Sequence, residues 1–192
     1  LSQHVGDRCV YTFCMCPGGT VVAAASEKDT VVVNGMSCRA RDGKNSNSAV
    51  LVGVEPEDFG SEHPLAGFEL QHKIEKRAFD LAGKNYKAPA QLVGDFLKNQ
   101  KSVTLGNIEP SCPTGVTLGD IREVLPKKVT DTMADALVKM GTQLKGFDRA
   151  RNALVVACAD TQRRILSKRI SQGAFPLRRG RRLCRRNRIL RR

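Results

Sequence analysis

Apolar and β-branched residues come first in short runs broken by Gly, Asn and Asp, and later at helical spacing. Residues 10–16, 20–26, 30–34 and 49–55 read as strands. The turns between the first three are short, which predicts antiparallel pairing. Pro17-Gly18-Gly19 is the strongest turn, since Pro presets φ and glycine accepts positive φ. Asn34-Gly35-Met36-Ser37 reads as a second loop, and residues 42–48 as a polar one. Residues 64–83 then read as a helix, with Pro64 at its start, Gly83 as its stop and Leu70, Ile74, Ala78 and Leu81 on one face. Residues 88–97 are predicted to form a second helix, with Leu92, Val93, Phe96 and Leu97 inward. Residues 111–115 form a loop, and Thr117 to Asp120 match a capping box with Asp in place of Glu. The short helix it opens ends at Pro126. Thr130 is expected to cap a last helix, with Met133, Leu137, Met140 and Leu144 on one face and Gly146 closing it. The expected fold class is α+β: an antiparallel β-hairpin sheet, then packed helices, then a basic and poorly ordered C-terminal tail.

Charge divides the chain where the pattern fades. Residues 1–148 hold 17 basic and 18 acidic side chains, a net of −1. Residues 149–192 hold 15 basic and 1 acidic, Asp160, a net of +14. The overall +13 therefore belongs to the tail. Residues 153–158 still suit a strand and 161–170 a weak basic helix, but 175–192 carry Arg clusters with no apolar period. The length suits one domain, or one and a part, with an aliphatic core, since aromatics are 5% and Trp is absent. No run approaches the roughly 18 apolar residues of a membrane span, and no secretory signal opens the chain. Seven unevenly spaced Cys suit a reduced, cytoplasmic setting better than a disulfide framework. The chain opens on Leu, so this need not be a natural start.

The candidate chemistry gathers in residues 11–43. Cys14 and Cys16, two apart on a strand, present both sulfurs on one face. They suit a redox pair, although structural thiols are the plainer reading, because a reactive thiolate needs a nearby cation or helix N-terminus. A zinc site lacks ligands at usual spacings, so no metal is expected. Gly18 and Gly19 permit close approach of a ligand, or simply make a turn. Arg39 and Arg41 alternate with Cys38 and Ala40, which puts both guanidiniums on one side of a strand, suited to a phosphate or carboxylate or merely solvated. No G-x-G-x-x-G after a strand, G-x-x-x-x-G-K-[ST], H-E-x-x-H or G-x-S-x-G occurs.

Several longer words carry a resemblance. FCMCPGG (13–19), VVAAASE (21–27), NGMS (34–37), ARDG (40–43), NSA (47–49), HPLAG (63–67), APAQLVGDFL (88–97) and PTGVTLGDIREVLP (113–126) run in order. Together they resemble the bacterial uncharacterised FAD-dependent dehydrogenases, also called NAD(FAD)-utilising dehydrogenases. The likeness extends from about residue 10 to about residue 148, with Cys38 and Cys112 standing where an aromatic residue is expected. It implies an FAD enzyme whose dinucleotide-binding glycine fingerprint and later glycine-rich segment, CGEGAGYAGGI, have no match here. Residues 1–148 then resemble the substrate-side portion, and residues 149–192 a separate basic tail.

The expected function is a fragment of an FAD-dependent oxidoreductase of unknown substrate, unable to bind FAD alone. Cys14 and Cys16 are the catalytic candidates, Gly18 and Gly19 the cofactor-contacting ones, and Asn34, Arg39 and Arg41 the substrate-orienting ones. The likeness supports the region without fixing each role. The alternative is non-specific nucleic-acid binding through the Arg-rich tail, which offers a phosphate-binding arm but only Phe175 for base stacking. The tail also reads as a frameshift. Back-translated with suitable codons and read one nucleotide later, residues 177–187 followed by a C give CGEGAGYAGGI. The frame change is expected between about residues 148 and 158.

Overall fold

A computed structural model describes residues 1–148 and 154–156, and shows an α+β fold. The readings made for the tail beyond residue 156 lie outside the described residues. Strand β1 (Ser2–Val5) turns at Gly6, φ +58°, into β2 (Arg8–Cys16), and β5 (Asn47–Val52) pairs on the other side of β2, both antiparallel. Strands β3 (Gly19–Ala23) and β4 (Val33–Ser37) form a separate antiparallel ribbon. A third sheet has β6 (Ala88–Leu92) in the centre, β7 (Val116–Leu118) parallel to it and β8 (Leu154–Val156) antiparallel.

Three expectations about the strands change here. The first pair is not a hairpin: β2 and β3 lie in different sheets, and Pro17-Gly18 is a corner between them. Asn34 to Ser37 is not a loop but most of β4, paired with Gly19 to Val22. Its Asn-Gly pair lacks a turn because Gly35 is needed inside a strand, where the Asn47 side chain lies against its backbone. Residues 88–92 are strand rather than helix. All five are buried, so the sheet environment overrides the helical spacing of their apolar positions. Among the described residues β8 pairs only with Ala90 to Leu92, so no described ladder partner faces the Pro89 nitrogen. Gln91, fully buried, fixes the segment by donating to the Gln100 carbonyl (2.7 Å) and accepting from the Ile121 N–H (2.9 Å).

The helices are α1 (Ala66–Leu81), the short α2 (Val93–Leu97) and α3 (Lys127–Gln143). Ile74, Ala78 and Phe79 of α1 meet Phe96, Ile121, Val124, Met133 and Leu137 in the main core, with Val31 from the β3–β4 connection. Leu70 and Leu81 pack at its edge as the spacing predicts, whereas Leu144 lies beyond α3 and is exposed. Gly83, φ +83°, stops α1. The caps differ from expectation. Asp120 itself caps the short 3-10 turn Ile121–Glu123, its Oδ1 accepting from the Arg122 N–H at 2.9 Å, because Thr117 is held in β7. Thr130 lies inside α3, where its hydroxyl donates to the Lys127 carbonyl (2.9 Å). Arg8 joins β2 to the 3-10 turn Pro56–Phe59 through a two-pronged pair with Asp58 (2.8 and 2.7 Å). The hydrogen bond from Arg8 to Asp58 raises its pKa further above the ordinary arginine value.

Candidate functional site

The β3–β4 ribbon carries chemistry at both ends. At one end, β2 breaks its register against β5 between Phe13 and Cys16, and Cys14 takes φ +48°. That bulge undoes the simple alternation expected to align the two sulfurs. Cys14 is exposed and Cys16 half-buried, with Phe13 and Met15 exposed beside them. Among the described residues Cys14, Cys16, Cys38 and Cys112 are free thiols, while Cys9 is disulfide-bonded, which departs from the reduced set of thiols expected from the sequence. Among the described residues no group of three or more His, Cys, Asp or Glu side chains is placed to hold a metal.

The glycines of this corner are used by the chain itself. Gly18, φ +56°, has the Arg41 carbonyl where a Cβ would stand, and the Gly18 carbonyl in turn occupies that place at Gly43. Gly19 and Gly35 make room for the Asn47 side chain, which pairs in register with Cys16. Asn47 Nδ2 donates to the Thr20 and Met36 carbonyls (3.3 and 3.5 Å), while its Oδ1 is buried with no donor among the described residues. Asn45 ties the neighbouring loop down, donating to the Glu109 carbonyl and Ser111 Oγ at 2.7 Å each. Lys44 pairs with Glu109 at 2.7 Å in full solvent, which raises the lysine pKa and lowers the glutamate pKa, in each case chiefly through their hydrogen bond.

Arg39 and Arg41 do not share a strand face. Residues 38–41 form a turn closed by the Arg41 N–H on the Cys38 carbonyl (3.1 Å), and Arg41 has φ +53°. Both side chains are exposed. The turn follows the end of β4 at Ser37, and the absence of a Cβ at Gly18 leaves room for the Arg41 carbonyl.

At the other end of the ribbon a cleft of about 240 Å³ opens between the β3–β4 connection and α1. Asn34 lines it together with Glu27, Phe68, Gln71, His72 and Glu75. The connection is fixed by the Thr30 hydroxyl on the Glu27 carbonyl (2.8 Å) and by the Val31 N–H on the Glu75 carbonyl (3.1 Å). Phe68, Gln71, His72 and Glu75 fall on one face of α1 by their spacing of three and four. Glu75 and Gln71 are 7% and 8% exposed, and Gln71 Nε2 donates to Glu75 Oε1 at 2.7 Å. Exposed His72 and Glu27 pair at 2.9 Å.

The expected site residues therefore separate. Cys16, Gly18 and Gly19 are together, with Arg41 brought in through its backbone; Asn34 points to the opposite end, three strand steps from Ser37, roughly 10 Å. The helix residues of the cleft escape sequence reading because a Gln and a Glu one turn apart resemble an ordinary solvated pair. The only available signal is that Glu75 adjoins Ile74, Ala78 and Phe79, the buried stripe.

Comparison with known proteins places the whole arrangement. Residues 1–161 match the family described as FAD-dependent protein, C-terminal domain-like. An uncharacterized protein of Clostridium beijerinckii is 49% identical over 142 residues, covering 74% of this chain and 27% of the relative. The chain thus spans about a quarter of that relative's length. It belongs to the FAD-dependent protein family, in the region of the C-terminal domain.

Proposed function

We propose that this member of the FAD-dependent family is the substrate-side portion of an FAD-dependent oxidoreductase and does not hold FAD by itself. The observation that carries the reading is the family match over residues 1–161, alongside a relative of which the chain spans only 27%. A flavin pyrophosphate needs backbone N–H groups at a glycine-rich strand-to-helix turn. The residues present do not make one: the space at Gly18, Gly19, Gly35 and Gly43 is filled by the chain's own backbone and by Asn47. In the intact protein the Cys14–Cys16 edge faces the flavin, with Gly18 and Gly19 shaping the corner, not cradling phosphate. Asn34 orients substrate from the cleft side, and Arg39 and Arg41 do so from the opposite end.

The reading is tested by a chimera in which residues 1–148 replace the matching segment of the Clostridium relative. The chimera is expected to purify with FAD and to be reduced and reoxidised reversibly. A folded chimera without flavin, or a relative that itself carries none, would overturn it.

The tail is proposed to be a shifted reading of the glycine-rich segment. The family match ends at residue 161, and the Arg-rich run follows it. Sequencing the source DNA decides this. A stop codon in the shifted frame would make the tail genuine and return salt-sensitive nucleic-acid binding to consideration.

A further inference from the structure

The least satisfied charged side chain in the cleft is Glu75. A carboxylate offers about four lone-pair sites. Glu75 Oε1 takes one hydrogen bond, from Gln71, and Oε2 has no donor among the described residues. The residue is nonetheless 7% exposed, at the wall of an open cleft. A second carboxylate, Glu27, stands at the rim in a solvent-exposed pair with His72. Among the described residues no Lys or Arg lines the cleft. Phe68, 39% exposed, adds an aromatic surface beside the acids. The volume, about 240 Å³, holds roughly eight waters at ~30 Å³ each, which is the size of a small organic molecule.

We infer that this cleft binds a small aliphatic ammonium compound. The ammonium head donates to Glu75 Oε2 and to the Asn34 side-chain carbonyl, and the alkyl stem lies along Phe68. Three donors on a compact head match acceptor-rich walls, whereas an anion meets two carboxylates and is repelled. An aromatic face near a cation adds further attraction. This inference concerns the cleft alone and stands whether or not the flavin reading holds.

The test is an NMR titration of the 192-residue protein with n-butylammonium chloride at constant ionic strength, with n-butanol and sodium butyrate as matched probes. Saturable shifts are expected at the backbone amides of Asn34, Gln71, His72 and Glu75, with butanol and butyrate binding at least about tenfold more weakly. Glu75→Gln, which keeps the shape and a partner for Gln71, is expected to weaken butylammonium about tenfold or more, the worth of one charged hydrogen bond. Glu27→Gln, at the rim, is expected to weaken it only a few-fold. Absence of saturable shifts at those amides overturns the inference, as does equal binding of butanol. So does a Glu27→Gln loss larger than that of Glu75→Gln. The three-probe comparison on the unaltered protein needs no variant to fold.

Discussion

The two ends of the β3–β4 ribbon solve opposite problems. At the Gly19–Ser37 end, backbone packs on backbone, and four glycines exist so that the chain can approach itself. At the Ala23–Val33 end, side chains of α1 stand back from the connection and leave a cleft with a buried acid in its wall. The first end is closed and its residues serve shape. The second is open, with a largely buried carboxylate, Glu75, in its wall. Glycine-rich chemistry, often taken as the mark of a phosphate cradle, here marks a corner whose glycines the chain itself fills.

Substitutions at each end should therefore move stability in different directions. The largest effect is expected from Gly18→Ala. It combines a positive φ with a Cβ placed on the Arg41 carbonyl, and should cost about 2–4 kcal/mol in urea unfolding. A loss under about 1 kcal/mol would mean that the corner yields and the end is not closed. Next, Glu75→Gln at the open end should leave stability unchanged or raise it by up to about 1 kcal/mol, since it removes a buried charge and keeps an amide partner for Gln71. A clear loss would show that the carboxylate is structural and break the contrast. The smallest effect is expected from Glu109→Gln, which removes the solvent-exposed pair with Lys44 beside the closed end. The lowered Glu109 pKa means that its stabilisation is present above the ordinary glutamate value and fades as pH falls through the lowered folded value. The raised Lys44 pKa gives the mirror case, with stabilisation lost as pH rises through the raised folded value. Midpoints of the variant and the unaltered protein should coincide in acid or in high salt, and differ only slightly at neutral pH.

Much of this architecture is legible in sequence where local chemistry and tertiary setting agree. The α1 face of Ile74 and Ala78 and the stop at Gly83 follow from spacing and glycine alone. Legibility fails where a distant partner decides. Residues 88–92 become strand because β7 and β8 flank them, and Asn34-Gly35 becomes strand because Asn47 needs the space. The corner at Gly18 looks like a hairpin because Pro-Gly-Gly turns either way, and only β5, pairing with β2, denies β3 that place. The cleft is the least legible part: Asn34 and Glu75 lie far apart in sequence, and the one local trace of the buried acid is its place beside the Ile74, Ala78 and Phe79 stripe.

The central claim is that the glycines around Gly18 pack the chain on itself and build no flavin site. It is tested most directly by titrating FAD into the purified 192-residue protein and following bound flavin by equilibrium dialysis and absorbance. The account predicts no retained flavin and a flat difference spectrum in the flavin bands at excess FAD. A tight complex of one FAD per chain would contradict it.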